Sequence, residues 1–204
     1  MNINKLVEVI RESMNSFREN ELAYLSMTGK NELQIRDRIA YELYRKDNNY
    51  IISREYNPKG VKSRIDLAII KDNIIKDIIE LKSMYTFDSI DMKGYISGIK
   101  KDFYKNRELV TKETNQYEII IATHIDKVPN KEFKDYVKYY RLINKHISDI
   151  EDSKILIENL DSIIRKEFIQ ESNEIRYFTV NAGRAFGVEV SICFWIIKNN
   201  KYYF

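Results

Sequence analysis

Five short segments rich in isoleucine, valine and aromatic residues dominate the chain from residue 50 onward and constrain its fold most strongly. They read YIISREY, SRIDLAII, NIIKDIIELKSMY, YEIIIATH and EVSICFWIIK. β-Branched and aromatic residues favour strands, and turn-forming residues separate these segments. Asn57-Pro58-Lys59-Gly60 follows the first segment, and Lys71-Asp72-Asn73 lies between the second and third. The pattern predicts a central sheet of about five strands, of which the first three form a meander.

Helical periodicity marks most of the remaining chain. Residues 3–26 carry apolar side chains at steps of three and four, which predicts one N-terminal helix. A second helix is predicted from about residue 32 to 45, with Asn31 as its N-cap, and a third over about 92–110. Residues 130–170 are helical and highly charged, with a break near 152. Together these elements predict a mixed α/β fold, partly antiparallel, with helices flanking the sheet.

The length of 204 residues suits one domain with a full hydrophobic core. Within it we distinguish an N-terminal helix (1–30), a core (31–126), a helical insertion (127–172) and C-terminal strands (173–204). The net charge of +3 excludes an extreme polycation, so any surface that binds nucleic acid must be local. The single cysteine, Cys193, excludes an intramolecular disulfide. The sequence has no long uncharged apolar segment, and we therefore expect a cytoplasmic protein without membrane insertion.

Charged residues interrupt two of the predicted strands in a regular way. Side chains alternate between the faces of a strand, so Glu80 and Lys82 share one face while Ile79 and Leu81 share the other. The preceding strand places Asp66 on its polar face in the same manner. A hairpin register that pairs Asp66 with Glu80 brings their Cβ atoms to about 5 Å. That register requires a loop of odd length or a compensating β-bulge.

Two carboxylates at this distance repel each other unless a positive charge lies between them. Mg²⁺ suits the role, because it binds one or two protein carboxylates and keeps several waters, and Mn²⁺ is expected to substitute for it. Lys82 lies next to Glu80 on the same face, where it could position or deprotonate a metal-bound water that attacks phosphorus. The alternative is an ordinary surface ion pair that contributes about 0–1 kcal/mol.

These residues resemble the PD-(D/E)xK nuclease superfamily, which has a restriction-endonuclease-like fold. The resemblance covers about residues 31–126, and Ile65 stands where the motif nominally has proline. It implies that Asp66, Glu80 and the backbone carbonyl of Leu81 bind the metal, and that Lys82 serves the attacking water. Glu32, on the preceding helix, is the positional match for a further acid that supports the metal through water.

The resemblance predicts a Mg²⁺-dependent endonuclease that hydrolyses DNA, of the restriction or phage-defence type. Six basic residues are candidates for contacts with the phosphate backbone: Lys59, Lys62, Arg64, Lys100, Lys101 and Lys105. Duplex cleavage would require a homodimer or repeated binding, and the helices at 3–26 and 130–170 are candidate surfaces for dimerisation or for embracing DNA. The alternative function is a non-catalytic module on the same fold that binds nucleic acid or protein.

Overall fold

The computed structural model describes residues 1–59, 64–169 and 174–199, and these residues form an α/β fold around one six-stranded sheet. The strands are β1 (Ile51–Tyr56), β2 (Ile65–Lys71), β3 (Ile74–Tyr85), β4 (Asn115–Ile125), β5 (Glu174–Ala185) and β6 (Val188–Asn199). Their order across the sheet is β1-β2-β3-β4-β6-β5. The pair β3–β4 is parallel and the other neighbouring strands are antiparallel, so the predicted mixed α/β class is confirmed.

The sheet has six strands where about five were predicted, and the C-terminal segment, predicted as a terminal strand or a hairpin, forms a hairpin. The additional strand is β5, which pairs with β6 at the edge of the sheet. Most of its side chains are only partly buried or exposed, so its apolar alternation is weak. The glycine-containing segment 181–187 belongs largely to β5, and the turn into β6 lies at Phe186-Gly187, where both residues have positive φ angles.

Helices cover both faces of the sheet. They are α1 (Ile3–Asn15), α2 (Glu21–Thr28), α3 (Glu32–Lys46), α4 (Lys93–Lys105), α5 (Tyr140–Ile147) and α6 (Lys154–Phe168). Short 3₁₀ helices span Thr86–Ile90, Arg107–Leu109 and Lys131–Phe133. No helix in the described ranges is long and apolar enough to cross a membrane.

Two sequence-based expectations about the helices were wrong. The single helix expected over residues 3–26 is interrupted between α1 and α2, where Asn20 adopts a left-handed φ of 62°. Asn31 precedes α3, but its side chain does not cap the helix. Its buried amide instead donates hydrogen bonds to Ser26 Oγ at 2.8 Å and Thr123 Oγ1 at 3.2 Å. The side chain therefore connects the α2–α3 segment to β4.

The apolar stripes of the helices are buried within this chain. Helices α1, α2, α3 and α5 pack against one face of the sheet, and α4 with most of α6 packs against the other. The stripes that were candidate dimerisation surfaces therefore lie in the core, as Leu6 and Ile10 of α1 and Leu160 and Ile164 of α6 show. Those faces are not available to a second copy, and the homodimer stays a prediction without a surface assigned to it.

The β2–β3 hairpin has the predicted register. Leu67 pairs with Ile79 and Ile69 pairs with Asp77, so Asp66 and Glu80 occupy the next positions along the two strands. Asp72 and Asn73 form the tight turn with positive φ angles of 52° and 61°. A two-residue turn alone would put Asp66 and Glu80 on opposite faces. The bulge near Ile69/Ile70 restores the even register, as predicted.

Candidate active site

The candidate site lies on the face of β2, β3 and β4 that α4 covers. Alternation along β2 and β3 continues from the packed pair Ala68 and Ile78 to Asp66 and Glu80, and then to Lys82. Helix α4 and the residue after it supply three polar groups that contact this face: Asp102, Lys105 and Asn106. The three residues of the sequence motif are therefore brought to one face of the sheet, as expected.

The carboxylates of Asp66 and Glu32 contact the backbone of β3 beyond the last residues of β3 that pair with β2. Asp66 Oδ2 accepts a hydrogen bond from the Leu81 N–H at 2.9 Å, and Glu32 Oε2 accepts one from the Ser83 N–H at 2.8 Å. The N–H and C=O of one strand residue point to the same edge, so the Leu81 carbonyl also faces this edge, beside Asp66. Glu32, at the start of α3, therefore contacts the backbone of β3 two residues beyond the position that Asp66 contacts.

Glu80 is almost fully buried, with 2% of its surface exposed. Its Oε1 accepts a hydrogen bond from Asn106 Nδ2 at 2.7 Å and lies 3.2 Å from Lys105 Nζ. Burial raises the pKa of Glu80 to about 7, the negative charge of Asp66 acts in the same direction, and Lys105 and Asn106 oppose it. Glu80 therefore exchanges its proton near neutral pH in the absence of a further cation.

Lys82 forms an ion pair with Asp102 Oδ2 at 2.5 Å. Burial lowers the pKa of Lys82, but the close ion pair with Asp102 and the negative charge of Glu118 outweigh that effect and raise it above its usual value. Lys82 thus keeps its proton at neutral pH. Of the two roles suggested by the sequence, positioning a water or stabilising charge fits this environment, whereas deprotonating a water does not.

Glu118 on β4 and Asp102 on α4 also belong to this charged cluster, and sequence reasoning missed both. Glu118 lies opposite Glu80 in the parallel β3–β4 register and is completely buried. Burial raises its pKa well above the usual value, and Lys82 partly offsets this. A lone acid in the apolar segment YEIIIATH was the available signal for Glu118. The helical spacing of Asp102 with Ile99 and Phe103, which marks the buried side of α4, was the signal for Asp102.

The charges of the cluster favour a divalent cation. Four carboxylates (Asp66, Glu80, Asp102 and Glu118) face two ammonium groups (Lys82 and Lys105), which leaves an excess of two negative charges when all are ionised. Neither oxygen of Glu118 has a hydrogen-bond partner within the described residues. No three acidic, histidine or cysteine side chains there already converge on one metal position. Mg²⁺ needs only one or two carboxylates plus waters, so the residue set fits it.

The basic residues predicted to bind nucleic acid are distributed over separate surfaces. Lys59 and Arg64 are exposed on the β1–β2 connection, and Arg64 pairs with Glu55 at 2.5 Å. Lys100 and Lys101 are exposed on α4, where Lys100 pairs with Glu167 at 2.9 Å. Lys62 lies outside the described residues. Lys105 instead lies in the carboxylate cluster, beside Glu80 and Asp102. Contacts of these six basic residues with phosphate stay a prediction.

Comparison with known proteins does not identify a family for this chain. No protein-family model matches it, and no curated protein or solved structure does. The functional assignment therefore depends on the chemistry of the carboxylate cluster and on the resemblance of its motif.

The titration of Glu80 leads to a prediction about stability. The pKa of Glu80 is near 7 in the folded chain and near 4.5 when unfolded, so the folded state binds more protons between these values. Its contribution to the free energy of unfolding therefore decreases as the pH rises from about 4.5 to 7. We expect a loss on the order of 3 kcal/mol across this window, measured by urea unfolding in EDTA.

The variant Glu80→Gln provides the control for this measurement. His124 titrates in an overlapping window with the opposite sign, because burial lowers its pKa. The comparison of the wild type with Glu80→Gln cancels His124, and the difference that remains reports Glu80 together with Glu118, whose pKa is raised partly by the charge of Glu80. An identical pH dependence in the two proteins would contradict the assignment.

Proposed function

We propose that this protein is a Mg²⁺-dependent nuclease of the PD-(D/E)xK type that hydrolyses DNA phosphodiester bonds, in restriction or phage defence. The observation that carries the proposal is the shared face of Asp66, Glu80 and Lys82 at the end of the β2–β3 hairpin, with the Leu81 carbonyl directed to the same edge as Asp66. Acidic oxygen ligands beside a half-buried lysine are a combination that suits metal-assisted phosphodiester hydrolysis.

Each residue has a definite role in this proposal. Asp66, Glu80 and the Leu81 carbonyl would hold Mg²⁺ or Mn²⁺, and Glu32 would orient water at the same edge. The bound cation supplies a water of lowered pKa and neutralises charge on the phosphate. Lys82 keeps its proton and donates hydrogen bonds to the attacking water or to a phosphate oxygen. Asp102 holds the Lys82 ammonium in place, which makes Asp102 a positioning residue.

Supercoiled plasmid and purified protein provide the direct test. We expect nicked plasmid to form first and linear plasmid later, because one site cuts one strand, and we expect EDTA to prevent both. Parallel reactions with duplex RNA and single-stranded DNA identify the preferred substrate. Plasmid that stays supercoiled with both Mg²⁺ and Mn²⁺ would overturn the proposal.

A non-catalytic nucleic-acid-binding module is the second candidate. It is favoured by the ion pairs that Lys105 forms with Glu80 and Asp102, at 3.2 and 2.8 Å, because these pairs satisfy part of the cluster without a metal. Such a module would shift DNA in a gel equally well with and without Mg²⁺ and would leave the plasmid intact. Strand breaks in the plasmid would distinguish the nuclease from this binding module.

A further inference from the structure

Glu118 differs from the other carboxylates of the cluster in its hydrogen bonding. Asp66 accepts a hydrogen bond from Leu81, Glu80 accepts one from Asn106, and Asp102 contacts both lysines. Glu118 has 0% of its surface exposed, and neither of its oxygens has a hydrogen-bond partner in the described part of the chain. A buried carboxylate in this condition is among the most unfavourable groups that a folded protein contains.

The position of Glu118 directs it toward the candidate metal site. Glu118 and Glu80 are neighbours in the parallel register of β3 and β4, and parallel neighbours are separated by about 4.8 Å. Alternation along β4 puts Glu118 on the same face as Ile120 and Ala122, which pack under α4. The charges that act on it are those of Lys82, Asp102, Glu80 and Asp66, all of which belong to the cluster.

Two simpler explanations leave Glu118 unsatisfied. An ion pair with Lys82 would compete with Asp102, which already contacts the Lys82 ammonium at 2.5 Å. Protonation would remove the charge, but it would leave a buried hydroxyl and a buried carbonyl without partners, and such groups cost stability. A divalent cation satisfies the oxygens directly and also removes the excess negative charge of the cluster.

We propose that Glu118 is a direct ligand of the divalent cation, alongside Glu80. This inference rests on the proposed function, and it adds a third strand, β4, to the metal site of β2 and β3. The site would then combine carboxylates of Asp66, Glu80 and Glu118 from three adjacent strands. Because these side chains do not already converge on one position in the described residues, binding would require them to turn toward the shared cation.

Calorimetric titration with Mn²⁺ in the absence of nucleic acid tests this assignment. We expect Mn²⁺ to bind the wild type and to bind Glu118→Gln about 10- to 100-fold more weakly. Glu42→Gln is the matched control, because Glu42 is also a buried carboxylate but lies on α3, against the opposite face of the sheet. Its affinity for Mn²⁺ is expected to equal that of the wild type.

The outcomes separate this inference from the proposed function. Equal Mn²⁺ affinity of the wild type and Glu118→Gln would overturn the role of Glu118 and leave the nuclease proposal standing. A wild type that does not bind Mn²⁺ would overturn the role of Glu118, and plasmid cleavage would then decide the nuclease proposal separately.

Stability provides a second measurement that a purely structural role would not reproduce. In EDTA, Glu118→Gln is expected to unfold at about the same urea concentration as the wild type, because a buried carboxyl and a buried amide at this position both lack hydrogen-bond partners within the described residues. Added Mn²⁺ is expected to raise the unfolding midpoint of the wild type more than that of the variant. If Mn²⁺ raised the unfolding midpoints of the wild type and Glu118→Gln equally, Glu118 would not be a ligand and the proposal would be overturned.

Discussion

Lys82→Ala is expected to reduce the rate of Mg²⁺-dependent plasmid cleavage by about 10²- to 10⁴-fold. The ammonium of Lys82 lies on the face of Asp66 and Glu80, and its raised pKa keeps it protonated at the pH of the reaction. Alanine removes the donor that positions the attacking water and stabilises the phosphate. The measurement is the initial rate at which supercoiled plasmid disappears with enzyme in excess.

The chain contains its own matched control for this variant. Asp91-Met92-Lys93 repeats the spacing of Glu80-Leu81-Lys82, but Lys93 is exposed at the start of α4. Lys93→Ala is expected to cleave plasmid at the wild-type rate. Asp102 keeps Lys105 as a partner in Lys82→Ala, so the variant is expected to fold. Unchanged cleavage by Lys82→Ala would show that Lys82 is not part of the active site and would point to a contaminating nuclease.

The hairpin that brings the motif together could be predicted from sequence because its determinants are local. Alternation within two strands and a tight turn fixed which side chains share a face, and the requirement for an even register implied the bulge that occurs near Ile69/Ile70. Asp66, Glu80 and Lys82 are all close enough in sequence for this argument. Periodicity is most informative for residues that lie only a few positions from a well-defined turn.

The rest of the cluster depends on tertiary packing. Sequence periodicity marks the buried side of α4 but does not specify which strands that side covers. Glu118 reaches the site only because β4 pairs in parallel with β3, and neither the pairing nor its register follows from either strand alone. Asp102 and Lys105 reach it because α4 packs with one particular side against the sheet. A charge-rich helix such as α4 presents lysines on several sides, so Lys105 could not be distinguished from Lys100 and Lys101 in advance.

The carboxylate of Asp66 has two separable properties, its negative charge and its hydrogen bond with the backbone of β3, and two different substitutions are needed to distinguish them. It carries a negative charge beside Glu80, and it also accepts the hydrogen bond of the Leu81 N–H at 2.9 Å. Asparagine loses the charge but retains a side-chain oxygen that can accept this hydrogen bond. Alanine loses both. Comparing the two variants therefore isolates the charge from the backbone contact.

Both Asp66→Asn and Asp66→Ala are expected to cleave plasmid at least about 10³-fold more slowly than the wild type, because a metal ligand supplies several kcal/mol of transition-state stabilisation. Only Asp66→Ala leaves the buried Leu81 N–H without its acceptor, so it is expected to be less stable than Asp66→Asn by about 1–3 kcal/mol in urea unfolding. Relief of repulsion with Glu80 is common to the two variants and cancels in this comparison. If Asp66→Asn retained cleavage while Asp66→Ala lost it, Asp66 would act by holding the edge of β3, and the metal would have to be bound by Glu80 and Glu118 without it.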